Sequence, residues 1–190
     1  APGDKQAVRG LSLQTVNACI QFLPTLDGKA LFSVEDVKAI APGEALHPTQ
    51  QALVECHGPQ CGFCTPGFVM SMWSSYEQHR AAGTVPTRQA LADELSGNLC
   101  RCTGYRPILD AGQRMATLPG PGLPLAGLAD QLRQLQAAPA LSWPGQFHAP
   151  RSLAKLATLR AAKPEARLLA GATDVGLWVT KQLRELGEII

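Results

Sequence analysis

Six cysteines occur in the 190 residues, and four of them fall in two short loops, as Cys61-Gly62-Phe63-Cys64 and Cys100-Arg101-Cys102. Thiolates this close in sequence form two pincers that can close on metal. A pair of disulfides is the plainer reading, but the rest of the chain reads as intracellular, where disulfides are uncommon. Four thiolates satisfy tetrahedral zinc, although Cys-x-Cys is less usual for zinc than Cys-x-x-Cys because its short span strains chelation. An iron–sulfur cluster also takes four cysteines, and the spacing is not the plant-type ferredoxin one. Spacing alone favours a metal and leaves zinc and iron–sulfur open.

The flanking residues say how such loops are held. Each pair is followed by a threonine and then Pro or Gly. Thr65 reads as an N-cap with Pro66 in the first turn, where a missing N–H costs nothing. Two thiolate pairs at helix N-termini would meet the positive ends of two helix dipoles. The first helix of the pattern starts at His47-Pro48, with Ala52, Leu53 and Cys56 on its apolar face. A second runs from about Thr65 to His79, with Phe68, Met72 and Tyr76 on one line and Val69 and Trp73 on the next. That stripe reads as core, and Gly83 ends that hairpin. Thr87 caps a third helix to about Leu95, carrying Ala90, Leu91 and Leu95 inward. Ser96-Gly97-Asn98 then breaks it and delivers Cys100. A fourth begins after Thr103-Gly104 and buries Ile108, Leu109 and Met115. An all-helical bundle thus gathers its metal loops at one end. Cys56 belongs to packing, and His57 has no place on a metal that already has four thiolates. Gly58, Gly62, Gly67, Gly97 and Gly104 let backbone N–H groups approach sulfur. Arg101 and Arg106 either raise a cluster's potential or pair with surface carboxylates.

The wording of the loops goes beyond their spacing. Gln60-Cys61-Gly62-Phe63-Cys64-Thr65-Pro66-Gly67 and Gly97-Asn98-Leu99-Cys100-Arg101-Cys102-Thr103-Gly104-Tyr105-Arg106 closely resemble the second [2Fe-2S] domain of the xanthine dehydrogenase family of molybdenum hydroxylases. The resemblance implies that Cys61, Cys64, Cys100 and Cys102 ligate one [2Fe-2S] cluster in a small four-helix bundle. It also implies that Gln60 and Cys102 face the pterin of a molybdenum partner.

Two flanking segments extend the resemblance. Ala1 to Gly10 is polar and unpatterned, and Leu11 to Leu23 alternates apolar and polar residues, which predicts a strand. Cys19 in that strand reads as a buried free cysteine. By resemblance it is the fourth ligand of a first, plant-type [2Fe-2S] cluster whose other ligands this chain does not contain. Asp27-Gly28 is a turn, and Ser33 with Asp36 is a helix start. From Leu118 a Pro/Gly-rich linker follows, interrupted by a short amphipathic helix near Ala129 to Gln136. It carries Leu132, Leu135 and Trp143, which predict that it is laid over a neighbouring surface. Ser152 then caps a helix with Leu153, Leu156 and Ala157 inward. Ala166 to Ala170 is a short apolar strand, Gly171 breaks it, and a helix follows from about Val175 to Leu186. Strand, Gly turn, hydroxyl and helix is a diphosphate-cradling order, weak by itself because no P-loop lysine follows. Leu168-Leu169-Ala170-Gly171-Ala172-Thr173-Asp174-Val175 resembles the FAD pyrophosphate loop of the same family, which often carries other residues at the Ala172 and Asp174 positions.

Over the whole chain, 45% hydrophobic and 17% charged residues describe an ordinary globular balance. A net charge of +2 without a basic cluster speaks against nucleic acid. No apolar run reaches membrane-spanning length and no signal segment opens the chain, so no membrane role and a cytoplasmic location are expected. The last residues, Gly187 to Ile190, read like a strand cut short, and a fragment is expected. The expected fold is α+β multidomain. It comprises the end of a plant-type ferredoxin-like domain (1–41), a helical [2Fe-2S] domain (42–118), a linker (119–149) and the α/β start of an FAD-binding domain (150–190). This order resembles the iron–sulfur and flavin subunit of bacterial members of the family. The resemblance implies electron transfer from molybdopterin-bound molybdenum in a partner domain or subunit, through two [2Fe-2S] clusters, to FAD and NAD during purine oxidation. An aldehyde oxidase, a non-enzymatic zinc module and a free-standing electron carrier are the competing readings.

Overall fold

The computed structural model describes Val8 and residues 10–190; the remaining residues of the Ala1–Gly10 segment lie outside them. The described chain forms two compact units. One holds residues up to 15 together with 32–129, and the other holds 16–31 with 130–190.

In the first unit five helices surround one apolar core. They are α1 (Val34–Ile40), α2 (Pro48–Glu55), α3 (Thr65–Ala82), α4 (Arg88–Glu94) and α5 (Arg106–Met115). Helix α3 touches all four of the others, and α5 packs between α2 and α4. Its centre is therefore enclosed, with Phe68, Val69, Met72, Trp73 and Tyr76 all buried. Leu91, Ile108, Ala111 and Met115 close the core from α4 and α5. Each such large side chain contributes roughly 1.5–3 kcal/mol of burial. Phe32 meets Trp73 edge to face at 5.4 Å.

The helix boundaries follow from local chemistry. Asp36 accepts the Ser33 N–H at 2.6 Å and starts α1. Thr87 Oγ1 accepts the Ala90 N–H at 3.1 Å and starts α4. Thr65 is not a cap: Cys64 holds that position and Thr65 is the first helical residue. Helix α2 ends with His57 at φ 53, Gly58 N–H donating to Leu53 O and His57 N–H to Val54 O. A Cβ at Gly58 would meet the Leu53 side chain at 2.6 Å, so the glycine is needed there for space. The segment after α5 is laid on the helices, as Leu123 is buried and its N–H donates to the carboxylate of buried Glu77 at 2.8 Å.

The strand expected over Leu11 to Leu23 does not form. Leu11 pairs only with Val8, residues 18–20 turn, and Leu23–Leu26 is a 3-10 turn with Leu23 79% exposed. Alternation makes a strand only where a neighbouring strand supplies the ladder bonds, and none of the described residues does so here.

The second unit contains α6 (Leu128–Ala137), a hairpin of β1 (Ser142–Trp143) and β2 (Phe147–His148), α7 (Leu153–Ala162) and α8 (Val175–Thr180). The hairpin lies inside the stretch read as linker, where Pro144-Gly145 provides its turn. Trp143 is 62% exposed and Leu135 51%, so these two side chains are not laid against a surface of this chain. Ile189 bridges in parallel to both Phe147 and Arg167, so the terminal residues and the 166–170 segment pair with each other instead of forming independent strands. Of the residues expected inward on α7, Leu156 is half-buried while Leu153 and Ala157 are exposed. Helix α8 is shorter than expected, ending at Thr180 with Leu183 at φ 53 beyond it. Glu188 ties the unit together. Its Oε1 accepts from Lys163 Nζ at 2.7 Å, His148 Nε2 at 2.7 Å and Gly145 N at 2.9 Å. These bonds, Lys163 first, pull its carboxyl down to about 2.

His47 gives the first unit a pH dependence. It is fully buried, stacks edge to face on Tyr76 at 5.0 Å, and its Nδ1 accepts the Thr49 N–H that starts α2. Burial lowers its pKa from 6.5 to about 4. The neutral ring is the folded form, so stability is full above pH 6.5 and falls as pH drops towards 4. The loss amounts to roughly 3 kcal/mol by linkage. Urea unfolding between pH 7 and pH 4 is expected to show this slope, and His47→Asn, an uncharged cap, is expected to flatten it.

Candidate metal centre

The two cysteine loops are the α2–α3 connection and the α4–α5 connection, brought together by the packing of α5 on α2 and of α3 on both α4 and α5. Cys61, Cys64, Cys100 and Cys102 are all free thiols, Cys61 and Cys102 exposed and the other two half-buried. Cys102 Sγ lies 3.4 Å from Cys61 Sγ, and Cys64 and Cys100 are near enough to shift each other's titration. Each pair takes one thiol from each loop. Among the described residues no three Cys, His, Asp or Glu side chains gather as a site for one ion.

Within each pair one thiol is stabilised as the anion and the other as the acid. Cys61 is lowered, first by the Phe63 N–H and then by Cys102, while Cys102 is raised, first by its bond with Cys61. Cys100 is lowered to about 7, first by the Thr103 hydroxyl and then by the Thr103 and Cys102 amides. Cys64 is raised, first by burial and then by Cys100. A bound metal would displace the protons of these thiols. Gly62, at φ 84, makes the turn that aims the Phe63 N–H at Cys61. The sulfur-facing amides thus belong to Phe63, Thr103 and the cysteines themselves.

A [2Fe-2S] cluster presents two irons, each needing two thiolates, and a pairwise donor set is the chemistry it requires. A tetrahedral zinc ion needs all four around one point. The residues present fit the two-iron group.

Gln60 is exposed beside Cys61. Cys56 is half-buried against the core and its thiol is pushed up by burial, in keeping with packing. Cys19 is exposed rather than buried in a strand, and both its N–H and its Sγ donate to Asn17 Oδ1, at 3.3 and 3.0 Å. Arg101 and Arg106 are exposed at the second loop, and neither forms an ion pair among the described residues. Leu168 to Val175 run from the extended Arg167–Leu169 segment through Gly171, at φ 84, into α8, with Ala172 buried. Sequence reasoning missed the hydroxyl contacts of the second loop. Thr103 was read as part of a helix start, yet α5 is capped by Tyr105 at φ 68, and the Thr103 side chain faces Cys100. A hydroxyl three residues after a ligand was the signal available.

The profile of the family described as [2Fe-2S] binding domain matches residues 34–113. Xanthine dehydrogenase of Oryza sativa subsp. japonica is 50% identical over 96 residues, covering 50% of this chain and 7% of that protein. Aldehyde oxidase 2 of Mus musculus is 32% identical over 208 residues, covering 85% of this chain and 15% of that protein. In the crystal structure of quinoline 2-oxidoreductase from Pseudomonas putida 86, the match covers 52% of this chain and 51% of that one, at 33% identity and a TM-score of 0.37. Residues 34–113 are a [2Fe-2S] electron-transfer domain, and the chain belongs to the xanthine dehydrogenase and aldehyde oxidase family of molybdenum hydroxylases. These relatives are oxidoreductases, and the chain corresponds to a part of such an enzyme. It spans a small share, 7% and 15%, of the relatives it matches.

Serine substitution separates ligands from bystanders. Cys61→Ser, Cys64→Ser, Cys100→Ser and Cys102→Ser are each expected to lose most of the bound iron, measured with acid-labile sulfide per chain. Cys56→Ser and Cys19→Ser are expected to leave the iron and sulfide of this loop site unchanged.

Proposed function

We propose that this chain is the electron-transfer part of a xanthine dehydrogenase, with Cys61, Cys64, Cys100 and Cys102 as the ligands of one [2Fe-2S] cluster. The observation that carries the reading is the meeting of the two cysteine loops, with Cys61 and Cys102 sulfurs 3.4 Å apart across them. On this reading Cys61 and Cys102 would hold one iron and Cys64 and Cys100 the other. The cluster supplies one-electron storage, and the protein supplies the thiolates and the donors that stabilise them.

In the intact enzyme, electrons come from molybdenum bound to molybdopterin in a partner domain or subunit during oxidation of hypoxanthine and xanthine to urate. They leave through a second cluster, ligated in part by Cys19, to FAD and NAD. Gln60 and Cys102, both exposed at the loops, face the pterin side. Leu168, Leu169, Ala170, Gly171, Ala172, Thr173, Asp174 and Val175 form the loop against the flavin diphosphate. The domains are 1–41, 42–118, the linker 119–149 and 150–190, and the enzyme works in the cytoplasm. Support for the parts outside residues 34–113 comes from the mouse relative, whose match covers 85% of this chain. Both dehydrogenases and oxidases stand among the relatives, and the proposed substrate is a purine, with an aldehyde as the alternative.

An ultraviolet–visible spectrum of anaerobically prepared protein, with iron, zinc and sulfide analysis, tests the centre. Two irons and two sulfides per chain beyond any held at Cys19, with a red-brown colour bleached by dithionite, are expected. Stoichiometric zinc in a colourless protein after iron and sulfide reconstitution would overturn the reading.

A further inference from the structure

Thr103 sits in a closed ring of hydrogen bonds on the second cysteine loop. Its Oγ1 lies 3.4 Å from Cys100 Sγ and accepts the Tyr105 N–H at 3.2 Å. The Tyr105 hydroxyl in turn accepts the Cys100 N–H at 3.1 Å. Tyr105 holds φ 68, a left-handed conformation uncommon outside glycine. That backbone turn aims both its amide and its ring back at the loop, and Phe68 backs the ring edge to face at 6.4 Å.

The direction of the Thr103 bond follows from counting protons. A hydroxyl has one proton and two lone pairs. The Tyr105 amide occupies a lone pair, which leaves the proton for the sulfur. A metal-bound cysteine carries no proton, so of the two atoms only Oγ1 can donate. Thr103 is half-buried, which keeps water from competing fully for that proton.

We propose that Thr103, oriented by Tyr105, is a potential-setting residue whose O–H···S bond to Cys100 raises the reduction potential of the cluster. The proposal rests on the [2Fe-2S] reading and goes beyond naming its ligands. Reduction adds one electron, and part of that charge resides on the ligand sulfurs. A donor on a sulfur stabilises the more negative reduced state more than the oxidised one. The step is uptake of one electron, from dithionite in the test; no bond at Thr103 is made or broken and its proton stays on Oγ1. Thr103 is a better candidate for this role than Arg101 or Arg106, because its hydroxyl is directed at a ligand sulfur while no contact of either guanidinium with the thiols is described.

The test is a mediated redox titration of the 190-residue chain after iron and sulfide reconstitution, comparing wild type with Thr103→Val, Thr103→Ala and Thr103→Ser. The spectral change is followed for the cluster that Cys100→Ser removes. Thr103→Val, which keeps the shape and loses the proton, is expected to hold the same iron and sulfide and to titrate at a lower potential. Thr103→Ser is expected to titrate with wild type. Equal potentials for Thr103→Val and wild type at full cluster content would overturn the proposal. Loss of the cluster in both Thr103→Val and Thr103→Ala, with Thr103→Ser retaining it, would also overturn it by assigning Thr103 to cluster retention. A wild-type chain that takes up zinc and no cluster would overturn the [2Fe-2S] reading instead, and that result is seen before any variant is titrated.

Discussion

Cys61 and Cys102 are 41 residues apart in the chain, and their sulfurs stand 3.4 Å from each other. No local turn can produce that meeting. It depends on two loops being held mouth to mouth by helices that pack elsewhere. Helix α5 lies between α2 and α4, and α3 touches all of them. The apolar face of α3 therefore has a consequence at the metal loops: Phe68 is four residues from Cys64, and Ile108 is six from Cys102. Burial of these side chains fixes the axes from which the loops depart. The contact of Cys61 with Cys102 across the two loops follows.

Gathering thiolates concentrates negative charge, and the first unit handles it with hydrogen-bond donors. The Phe63 amide serves Cys61, while the Thr103 hydroxyl and the Thr103 and Cys102 amides serve Cys100. Such donors are fixed by the backbone and lose little entropy on binding the group they face. The nearby Arg101 and Arg106 extend outward instead. An outward guanidinium is screened by water and salt, so its influence on a thiolate is small beside that of a donor in contact. The centre is thus set by loop geometry more than by net charge, in keeping with a chain of only +2.

The second unit shows how short segments are made to cohere where little apolar core is present. The β1–β2 hairpin, Lys163 after α7 and the terminal residues converge on one carboxylate, Glu188, which accepts from Lys163, His148 and Gly145. Ile189 beside it pairs with both Phe147 and Arg167. Large apolar side chains remain exposed here, among them Trp143, Leu153 and Leu183. The loop from Leu168 to Val175 belongs to this unit and leads into a helix of only six residues.

The sequence by itself determined most of the helical unit, because helix signals are local. The Ser33/Asp36 start, the Thr87 cap and the buried stripe from Phe68 to Tyr76 are all set by residues within a few positions of each other. The [2Fe-2S] character of residues 34–113 was legible for the same reason, since loop wording is local too. Strand formation needs a partner that local alternation does not specify, so Leu11 to Leu23 misled while the β1–β2 hairpin and the pairing of Ile189 went unseen. Only the tertiary structure decided which thiol meets which, that Cys64 and not Thr65 caps α3, and that Thr103 faces Cys100 rather than starting a helix. Each of those depends on where two distant loops come to rest, and that is fixed by the packing of helices between them.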